Sequence, residues 1–229
     1  MIHWLRGGSR FPPIERALDE PNGLLAAGGD LSPDRLLSAY KQAIFPWFSE
    51  GQPVLWWSPD PRMVLYVDEL KVSRSLRRAV DKRRFEIRID NAFEAVIVAC
   101  AAPRSKQGGT WITPAMVDAY IRLHRLGQAH SVEAWIGDSL VGGLYGVSIG
   151  RMFFGESMFA HETDASKVAL VHLVEMLKRW DMPLIDCQQD TAHLARLGAR
   201  PISRKAFADE VGRLVHSATP ITAWNTGPA

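Results

Sequence analysis

Three consecutive segments with strand periodicity are followed by a long helix with one apolar face, and this order constrains the fold more than any other feature of the chain. The Gly137-Asp138 pair between the first two segments is a hairpin signal, because glycine readily adopts the backbone conformations of a two-residue turn. A hairpin joined to a third strand predicts a largely antiparallel sheet with the helix packed on it. The strand segments cover residues 129–136, 139–147 and 151–157, and the helix covers residues 165–180.

Further elements extend this unit on both sides. Phe85, Ile87 and Ile89 alternate with charged residues, which predicts a strand. Thr113 is an N-cap for a helix that ends at Gly127. The order β-α-α-β-β-β-α-β-α predicts an α+β fold with a mixed, largely antiparallel sheet flanked by helices. The other expected elements are helices at 91–102, 190–197 and 204–215 and a short buried strand at 184–188.

The N-terminal quarter of the chain has a different composition. Residues 11–62 are rich in proline, glycine and tryptophan, and one helix is evident there, capped by Ser32 with Pro33 in its first turn. The rest of residues 11–62 is predicted to form turns, with aromatic side chains that anchor them. The Ser58–Pro61 stretch is a plausible boundary. We therefore expect a small N-terminal domain at residues 1–62 and a catalytic domain at residues 63–229.

Composition excludes several classes of protein. The chain has 229 residues, of which 47% are hydrophobic and 23% charged, close to globular averages. Its longest small or apolar run, Ala95 to Ala102, is too short to span a bilayer, and the N-terminus lacks the apolar segment of a signal peptide. The cysteines, Cys100 and Cys187, form no zinc motif, and the histidines have no ligand spacing. We expect a cytoplasmic protein without a membrane segment, metal or cofactor.

Positive charge is concentrated in one short segment. Between Lys71 and Arg88 there are eight basic and two acidic residues, so this segment carries +6 and the rest of the chain carries −4 of the formal net charge of +2. Several of the cations recur at helical spacing, where like charges repel, so a helix gains nothing from them unless they meet a polyanion. The alternative is an ordinary solvated helix face. The candidate residues for binding a polyanion such as a nucleic acid are Arg74, Arg77, Arg78, Lys82, Arg83 and Arg84.

The order of elements resembles the fold of the GCN5-related N-acetyltransferases. Paired Gly142 and Gly143 inside a strand suit the bulge that opens the substrate cleft in that fold. An acetyl-CoA enzyme of this type binds the pyrophosphate on a glycine-rich loop before the helix. The corresponding stretch here, Phe159 to Leu177, contains no glycine. This absence indicates a different acyl donor, and the basic segment suggests a donor attached to nucleic acid.

Eight long motifs are spread across the chain: EPNGLLAAGGDLSPDRLLSAY, IFPWFSEGQPVLWWSPDPR, GTWIT, AHSVEAW, LVGGLYGV, FFGESMF, ASKVAL and LIDCQ. From about Phe11 to at least Phe207, the chain resembles one family, the bacterial leucyl/phenylalanyl-tRNA–protein transferases. The resemblance implies transfer of Leu or Phe, and Met less well, from charged tRNA to proteins that begin with Arg or Lys, which marks them for the N-end rule degradation pathway. It also implies a small N-terminal domain on an acetyltransferase-like domain.

The same resemblance identifies a catalytic pair, Asp186 and Gln188. Alternation along a strand places both side chains on one face, with Cys187 on the other. The Gln188 amide oxygen can accept a hydrogen bond from an attacking amine, and Asp186 can orient or polarise the amide. Glu156 lies among aromatic residues, where a carboxylate needs a partner. It is expected to recognise the cationic acceptor or to bond at the reacting centre, unless it forms a salt bridge with a local Arg or Lys.

The donor amino acid needs an apolar pocket next to the terminal adenosine. Trp47, Trp56 and Trp57 are candidates for stacking on the adenine, or else anchors between domains. No Ser–His or Cys–His pair is convincing, so no covalent intermediate is expected. Family correspondence assigns the aminoacyl-adenosine and donor pocket to Trp47, Trp111, Leu144, Phe153, Met158, Leu170, Leu173 and Ile185, each of which could otherwise be ordinary core.

Two other functions remain open from the residues. An acetyl-CoA N-acetyltransferase would need the glycine-rich loop that the chain lacks. An RNA-binding adaptor on an inactive scaffold would explain the basic segment but not the Asp186 and Gln188 pair. Leu-tRNA, Phe-tRNA and a protein with N-terminal Arg or Lys are the expected partners. No dimerisation helix is evident, so a monomer is expected.

Overall fold

Two β-sheets organise the residues that the computed structural model describes, which are 2–102, 111–218 and Trp224. The strands are β1 (His3–Leu5), β2 (Leu24–Gly28), β3 (Phe45–Pro46), β4 (Leu55–Trp57), β5 (Arg62–Tyr66), β6 (Glu86–Ile89), β7 (Ala129–Ile136), β8 (Ser139–Ile149), β9 (Met152–Ala160), β10 (Leu184–Gln188) and β11 (Arg200–Ile202). The helices are α1 (Pro33–Tyr40), α2 (Arg74–Asp81), α3 (Phe93–Ala101), α4 (Pro114–Arg125), α5 (Ala165–Arg179), α6 (Ala192–Arg196) and α7 (Arg204–Leu214).

The larger sheet has the order β11-β5-β10-β9-β8-β7-β6. Only the β10–β9 pair is parallel among the described strands of this sheet, and the other neighbours are antiparallel. The smaller sheet, in the N-terminal region, has the order β1-β2-β4-β3. The expected fold class, α+β with a mixed and largely antiparallel sheet flanked by helices, is confirmed.

The helices and the central strands lie close to their expected positions. The turn at Gly137 and Asp138 joins β7 to β8, and Ser73, Thr113 and Ser203 cap their helices through side-chain hydrogen bonds. Sequence patterns missed the short strands β1–β5 and β11, which show no alternation of apolar and charged residues of the kind that marks β6. The boundary expected between residues 62 and 63 lies one residue inside β5 and stays a prediction.

Two hydrophobic clusters cover opposite faces of the larger sheet. Consecutive strand residues alternate between them, so that Val64 belongs to the cluster that contains residues of α1, α3, α4 and α7, while Leu65 belongs to the cluster that contains residues of α5. Trp56, in the N-terminal sheet, belongs to the first cluster, which therefore joins the two sheets through one core. In the part of the chain that the structure describes, no helix is long and apolar enough to cross a membrane.

The glycine pair in β8 has a packing role. A Cβ atom at Gly142 would lie 2.5 Å from the Cβ of Ala165, the first residue of α5, so a side chain there would displace the helix. A bulge interrupts the β7–β8 register nearby, between Ala134 and Trp135. Gly142 thus allows α5 to begin directly against the sheet, and the same helix lines the cleft described next with Leu170 and Leu173.

Candidate active site

A cleft of about 1340 Å³ lies where β8, β9 and β10 face the N-terminal sheet. It exceeds the roughly 300–1,000 Å³ of a typical small-molecule site, so it has room for an aminoacyl group together with a nucleoside and a peptide end. The eight residues predicted for the donor pocket all line it, and so do Glu156, Asp186 and Gln188. The tertiary structure thus brings the predicted donor and catalytic residues together, while their roles stay predictions.

The inner wall of this cleft is apolar. Leu144 on β8, Phe153 on β9 and Ile185 on β10 come from three adjacent strands, and Leu170 and Leu173 come from α5 above them. All five side chains are buried. Met158 and Trp111 also line the cleft and are partly exposed, and Leu65 lines it although the sequence analysis did not single it out.

The three tryptophans of the N-terminal region have different environments. Trp56 is 0% exposed, and its indole N–H donates to the carbonyl of Gly28, so its ring is not available for stacking on a base. Trp47 is 36% exposed and packs edge-to-face against Trp57, with ring centroids 5.6 Å apart. The Trp57 indole N–H donates to the Trp47 carbonyl at 2.6 Å. Trp47 and Trp57 both line the cleft and form its aromatic rim.

β-Bulges place Glu156 and Gln188 in the cleft. In the β8–β9 pair, Tyr145 faces Ser157 and Gly146 faces Gly155, so Glu156 is the extra residue. In the β10–β5 pair the register shifts between Asp186 and Gln188. Bulges redirect side chains, and they recur next to active sites. The alternation of side chains between the two faces of β10 is therefore interrupted between Asp186 and Gln188. The backbone of Gln188 has a positive φ of 61°.

Glu156 is 9% exposed and its partners are neutral groups. Tyr40 donates to Oε1 at 2.6 Å, Tyr120 lies 3.0 Å from Oε2, and the Gln188 carboxamide donates to Oε1 at 2.8 Å. The hydroxyls of Tyr40 and Tyr120 also contact each other. Burial raises the pKa of Glu156 to about 7, against the opposing effect of the two tyrosine hydrogen bonds. No described Arg or Lys forms a salt bridge with Glu156, so the local ion pair considered from sequence is not formed.

Asp186 forms an ion pair with Arg62. The guanidinium donates from Nε to Oδ1 at 2.8 Å and from Nη2 to Oδ2 at 2.6 Å. Oδ1 also accepts the backbone N–H of Gln188 at 2.8 Å. The Asp186 carboxylate thus contacts the Gln188 backbone and orients that residue through the main chain. The Gln188 carboxamide itself is hydrogen-bonded to Glu156.

The thiol between the catalytic candidates is unsuited to nucleophilic attack. Burial raises the pKa of Cys187, and the neighbouring Asp186 raises it further. Because the thiolate is the nucleophilic form, this environment disfavours a covalent step at Cys187.

Only the middle of the basic segment forms an exposed helix, α2, which ends at Asp81, so Lys82, Arg83 and Arg84 follow the helix. Leu76 anchors α2 against the core, and the six candidate cations on and after the helix are all exposed. Arg84 donates to Glu162 at 2.6 Å, which connects the segment to the turn before α5. The basic segment therefore lies beside α5, the helix that supplies Leu170 and Leu173 to the cleft.

Sequence reasoning missed three side chains at this site. Arg62 ends the SPDPR motif at the expected domain boundary, and Tyr40 and Tyr120 lie within predicted helices. A signal existed for Arg62, since an arginine that begins an otherwise apolar strand needs an acidic partner. The tyrosines gave no such signal, because Tyr40 lies 80 positions from Tyr120 and 116 from Glu156.

Comparison with known proteins identifies the family. Residues 64–212 match the model of the leucyl/phenylalanyl-tRNA protein transferase, and residues 29–60 match the model of its N-terminal domain. A relative from Nitrosomonas europaea, named leucyl/phenylalanyl-tRNA–protein transferase, is 60% identical over 93% of this chain and 91% of its own. One of the same name from Chromobacterium violaceum is 57% identical over 98% and 97%, respectively.

Solved structures give a more distant likeness. A GCN5-related N-acetyltransferase from Kribbella flavida aligns over 75% of this chain and 61% of its own, with 9% sequence identity and a TM-score of 0.35. The family models together match most of the chain, and the two relatives match nearly all of it. This chain belongs to the leucyl/phenylalanyl-tRNA–protein transferase family and is an aminoacyltransferase.

Proposed function

We propose that the protein transfers Leu or Phe, and Met less well, from aminoacyl-tRNA to the α-amino group of proteins with N-terminal Arg or Lys. Acceptors modified in this way would enter the N-end rule degradation pathway. We also propose that it acts as a monomer in the cytoplasm. The observation that carries the proposal is the apolar wall of the cleft, which ends at the Gln188 carboxamide and has an aromatic rim at its mouth.

The apolar wall suits the donor side chain. Leu144, Leu170, Leu173 and Ile185 present branched aliphatic groups, and Phe153 adds an aromatic face. Such a pocket distinguishes a methylene by only about 1–3 kcal/mol, so the donor choice is a preference among large apolar residues. Trp47 at the rim is available to stack on the terminal adenine, for which base stacking contributes roughly 1–3 kcal/mol.

The reaction needs positioning more than a strong base. The acceptor α-amine, with a pKa of about 7.7–8.0, is substantially neutral at physiological pH. Its nitrogen forms a bond to the ester carbonyl carbon, the ester C–O bond breaks, and the amine proton ends on the 3′-oxygen of the departing tRNA. Gln188 accepts a hydrogen bond from the amine through its amide oxygen. Asp186, held by Arg62, positions the Gln188 backbone.

The exposed basic residues of α2 would contact tRNA phosphates. Phosphate contacts carry no base sequence information, which suits an enzyme that accepts several tRNAs and selects the amino acid. The formal charge of +6 in this segment, against −4 in the rest of the chain, favours such contacts at this segment.

One mass-spectrometric assay tests the proposal. The purified protein is mixed with Phe-tRNA or Leu-tRNA and a peptide that begins with Arg or Lys. Parallel reactions contain acetyl-CoA as the donor or an Ala-initial peptide as the acceptor. Addition of Phe or Leu to the basic N-terminus alone is expected. An acetyl mass shift without aminoacyl addition would contradict the proposed donor, and tRNA binding without any product would favour an adaptor.

A further inference from the structure

Three oxygen-bearing side chains form a closed triangle at the back of the cleft. Tyr40 contacts both Tyr120 and Glu156, and Tyr120 contacts Glu156 as well, so that each group contacts the other two. The three side chains come from α1, α4 and β9, and each is at least nine-tenths buried. The Gln188 carboxamide adds a fourth contact, from Nε2 to Oε1 of Glu156.

The number of protons decides the ionisation state of this triangle. Three O···O hydrogen bonds need three protons, and each tyrosine supplies one. If Glu156 were a carboxylate, one of the three contacts would place two oxygen atoms together without a proton between them. A protonated Glu156 supplies the third proton. Its Oε2–H donates to Tyr120, the Tyr120 hydroxyl donates to Tyr40, and the Tyr40 hydroxyl donates to Oε1.

The charged groups around Glu156 also favour its neutral form. The nearest cation, Arg62, donates its hydrogen bonds to Asp186, and the Asp186 charge raises the pKa of Glu156. Tyr145, whose hydroxyl has no hydrogen-bond partner among the described residues, offers no compensation. The ionisable and polar groups that face Glu156 are Tyr40 from α1, Tyr120 from α4, Tyr145 from β8 with Cys100 behind it, Arg62 from β5, and Asp186 and Gln188 from β10.

We propose that Glu156 is a neutral carboxylic acid that closes a ring of three O–H···O hydrogen bonds with Tyr40 and Tyr120, and that this ring positions Gln188. Oε1 accepts the Gln188 Nε2–H, which leaves the amide oxygen as the free end of that side chain. In this arrangement residue 156 does not attract the positive charge of the acceptor. The protonation state and the ring do not depend on the proposed function. Only the consequence that the Gln188 amide oxygen meets the attacking amine rests on it.

Infrared difference spectroscopy of the whole protein tests the protonation state without any transfer reaction. At about pH 6, below the pKa of Glu156, the spectrum of the wild type minus Glu156→Gln is expected to contain the carbonyl stretch of a protonated carboxyl group, which disappears as the pH rises above 7. Only carboxylate bands at about pH 6 would overturn the proposal. Failure of the transfer assay would leave this result unchanged, so the two proposals fail separately.

A pair of tyrosine variants tests the ring. Tyr40→Phe opens the ring and frees the Tyr120 hydroxyl to donate to Oε2, which stabilises the carboxylate, so the infrared titration midpoint is expected to move downwards. Tyr145→Phe is the matched control, since it removes a buried hydroxyl without a hydrogen-bond partner in the described chain and is expected to leave the midpoint in place. An unchanged or higher midpoint in the Tyr40→Phe variant would overturn the ring, because a carboxylate that only loses a donated hydrogen bond has a raised pKa. Circular dichroism checks that each variant folds.

Single-turnover transfer separates a neutral acid from a carboxylate. Glu156→Ala is expected to slow transfer roughly 10–100-fold, because the Gln188 amide loses its orienting partner. Glu156→Gln supplies an N–H in place of the acid proton and is expected to restore most of that loss. The acceptor amine titrates in the same way in both reactions, so its effect cancels in the ratio of the Glu156→Gln rate to the wild-type rate. This ratio is expected to increase as the pH rises above about 7. A glutamine variant as slow as the alanine variant would overturn the proposal.

Discussion

Arg62 and Asp186 form a buried ion pair that joins the first residue of β5 to β10, with side chains 1% and 0% exposed. Phe45 and Phe207 flank the guanidinium, their ring centroids 4.5 and 4.6 Å from its central carbon. The pair therefore connects the N-terminal sheet, the larger sheet and α7 at the point where Gln188 enters the cleft. The positive charge of Arg62 balances the negative charge of Asp186, so removal of either side chain would leave the other as an unpaired buried charge.

Replacement of Arg62 by methionine is expected to lower the free energy of unfolding by about 3–5 kcal/mol, because Asp186 is left buried without a counter-ion. Denaturant unfolding measures the loss. Arg84→Met is the control, since Arg84 forms an equally short bond to Glu162 but is 52% exposed. An exposed pair contributes at most about 1 kcal/mol. Equal losses in the two variants would contradict the assigned difference between the pairs.

Replacement of Gln188 by alanine is expected to slow single-turnover peptide transfer about 10²-fold or more, because the amide oxygen no longer positions the attacking amine, with little change in aminoacyl-tRNA affinity. Rapid-quench kinetics with saturating Phe-tRNA measures the step. Gln42→Ala provides a matched control, because that exposed carboxamide bonds only to Ser38 within α1, at its hydroxyl and its carbonyl. Transfer at the wild-type rate by Gln188→Ala would exclude a role for its side chain.

A larger side chain at Leu170 is expected to change the donor preference. Leu170→Phe fills part of the apolar wall, so Phe-tRNA should lose more activity than Leu-tRNA, by about 1–3 kcal/mol in relative kcat/KM. Competition between the two charged tRNAs measures the ratio directly. Leu126→Phe adds the same ring at an exposed position at the end of α4 and should leave the ratio alone. An unchanged ratio in Leu170→Phe would remove Leu170 from the donor pocket.

Binding of tRNA is expected to weaken when the exposed cations of α2 are neutralised. The double variant Arg77→Gln and Arg78→Gln should reduce the slope of log affinity against log salt by about 0.7–0.9 for each phosphate that the protein no longer neutralises. Filter binding at several salt concentrations gives the slope. The double variant Lys205→Gln and Arg213→Gln on α7 is the control for net charge, since both cations are exposed and paired, with Asp209 and Glu210 respectively. The same slope in both proteins would place the tRNA elsewhere.

Glu156 is also expected to make stability depend on pH. Its pKa is about 7 in the folded protein against an ordinary value of 4.5, so the folded state binds the proton more tightly. The stability it contributes is fully present below about pH 4.5 and is lost as the pH rises to about 7 and beyond. The unfolding free energy of the wild type minus that of Glu156→Gln should therefore decrease as the pH rises from about 4.5 to about 7. Denaturant melts at several pH values measure it, and a difference that rises with pH would contradict the sign.

Much of the fold follows from local sequence patterns. The strands β7, β8 and β9 and the helix α5 carry strong periodicity over eight or more residues each, and capping residues mark the helix ends. Local propensity and burial act together in such elements, so the sequence alone predicts them. The strands β3 and β4 have two and three residues and depend on each other for hydrogen bonds, so no local pattern marks them.

The chain determined, by its residue order alone, the α+β architecture, the basic face of α2 and the motifs that point to one transferase family. Only the tertiary structure decided the chemistry around Gln188. The bulges at Glu156 and beside Gln188, and the convergence of Tyr40, Tyr120 and Arg62, join positions up to 124 residues apart. A buried carboxyl group takes its ionisation state from partners supplied by other elements, and such long-range contacts have no period in the sequence.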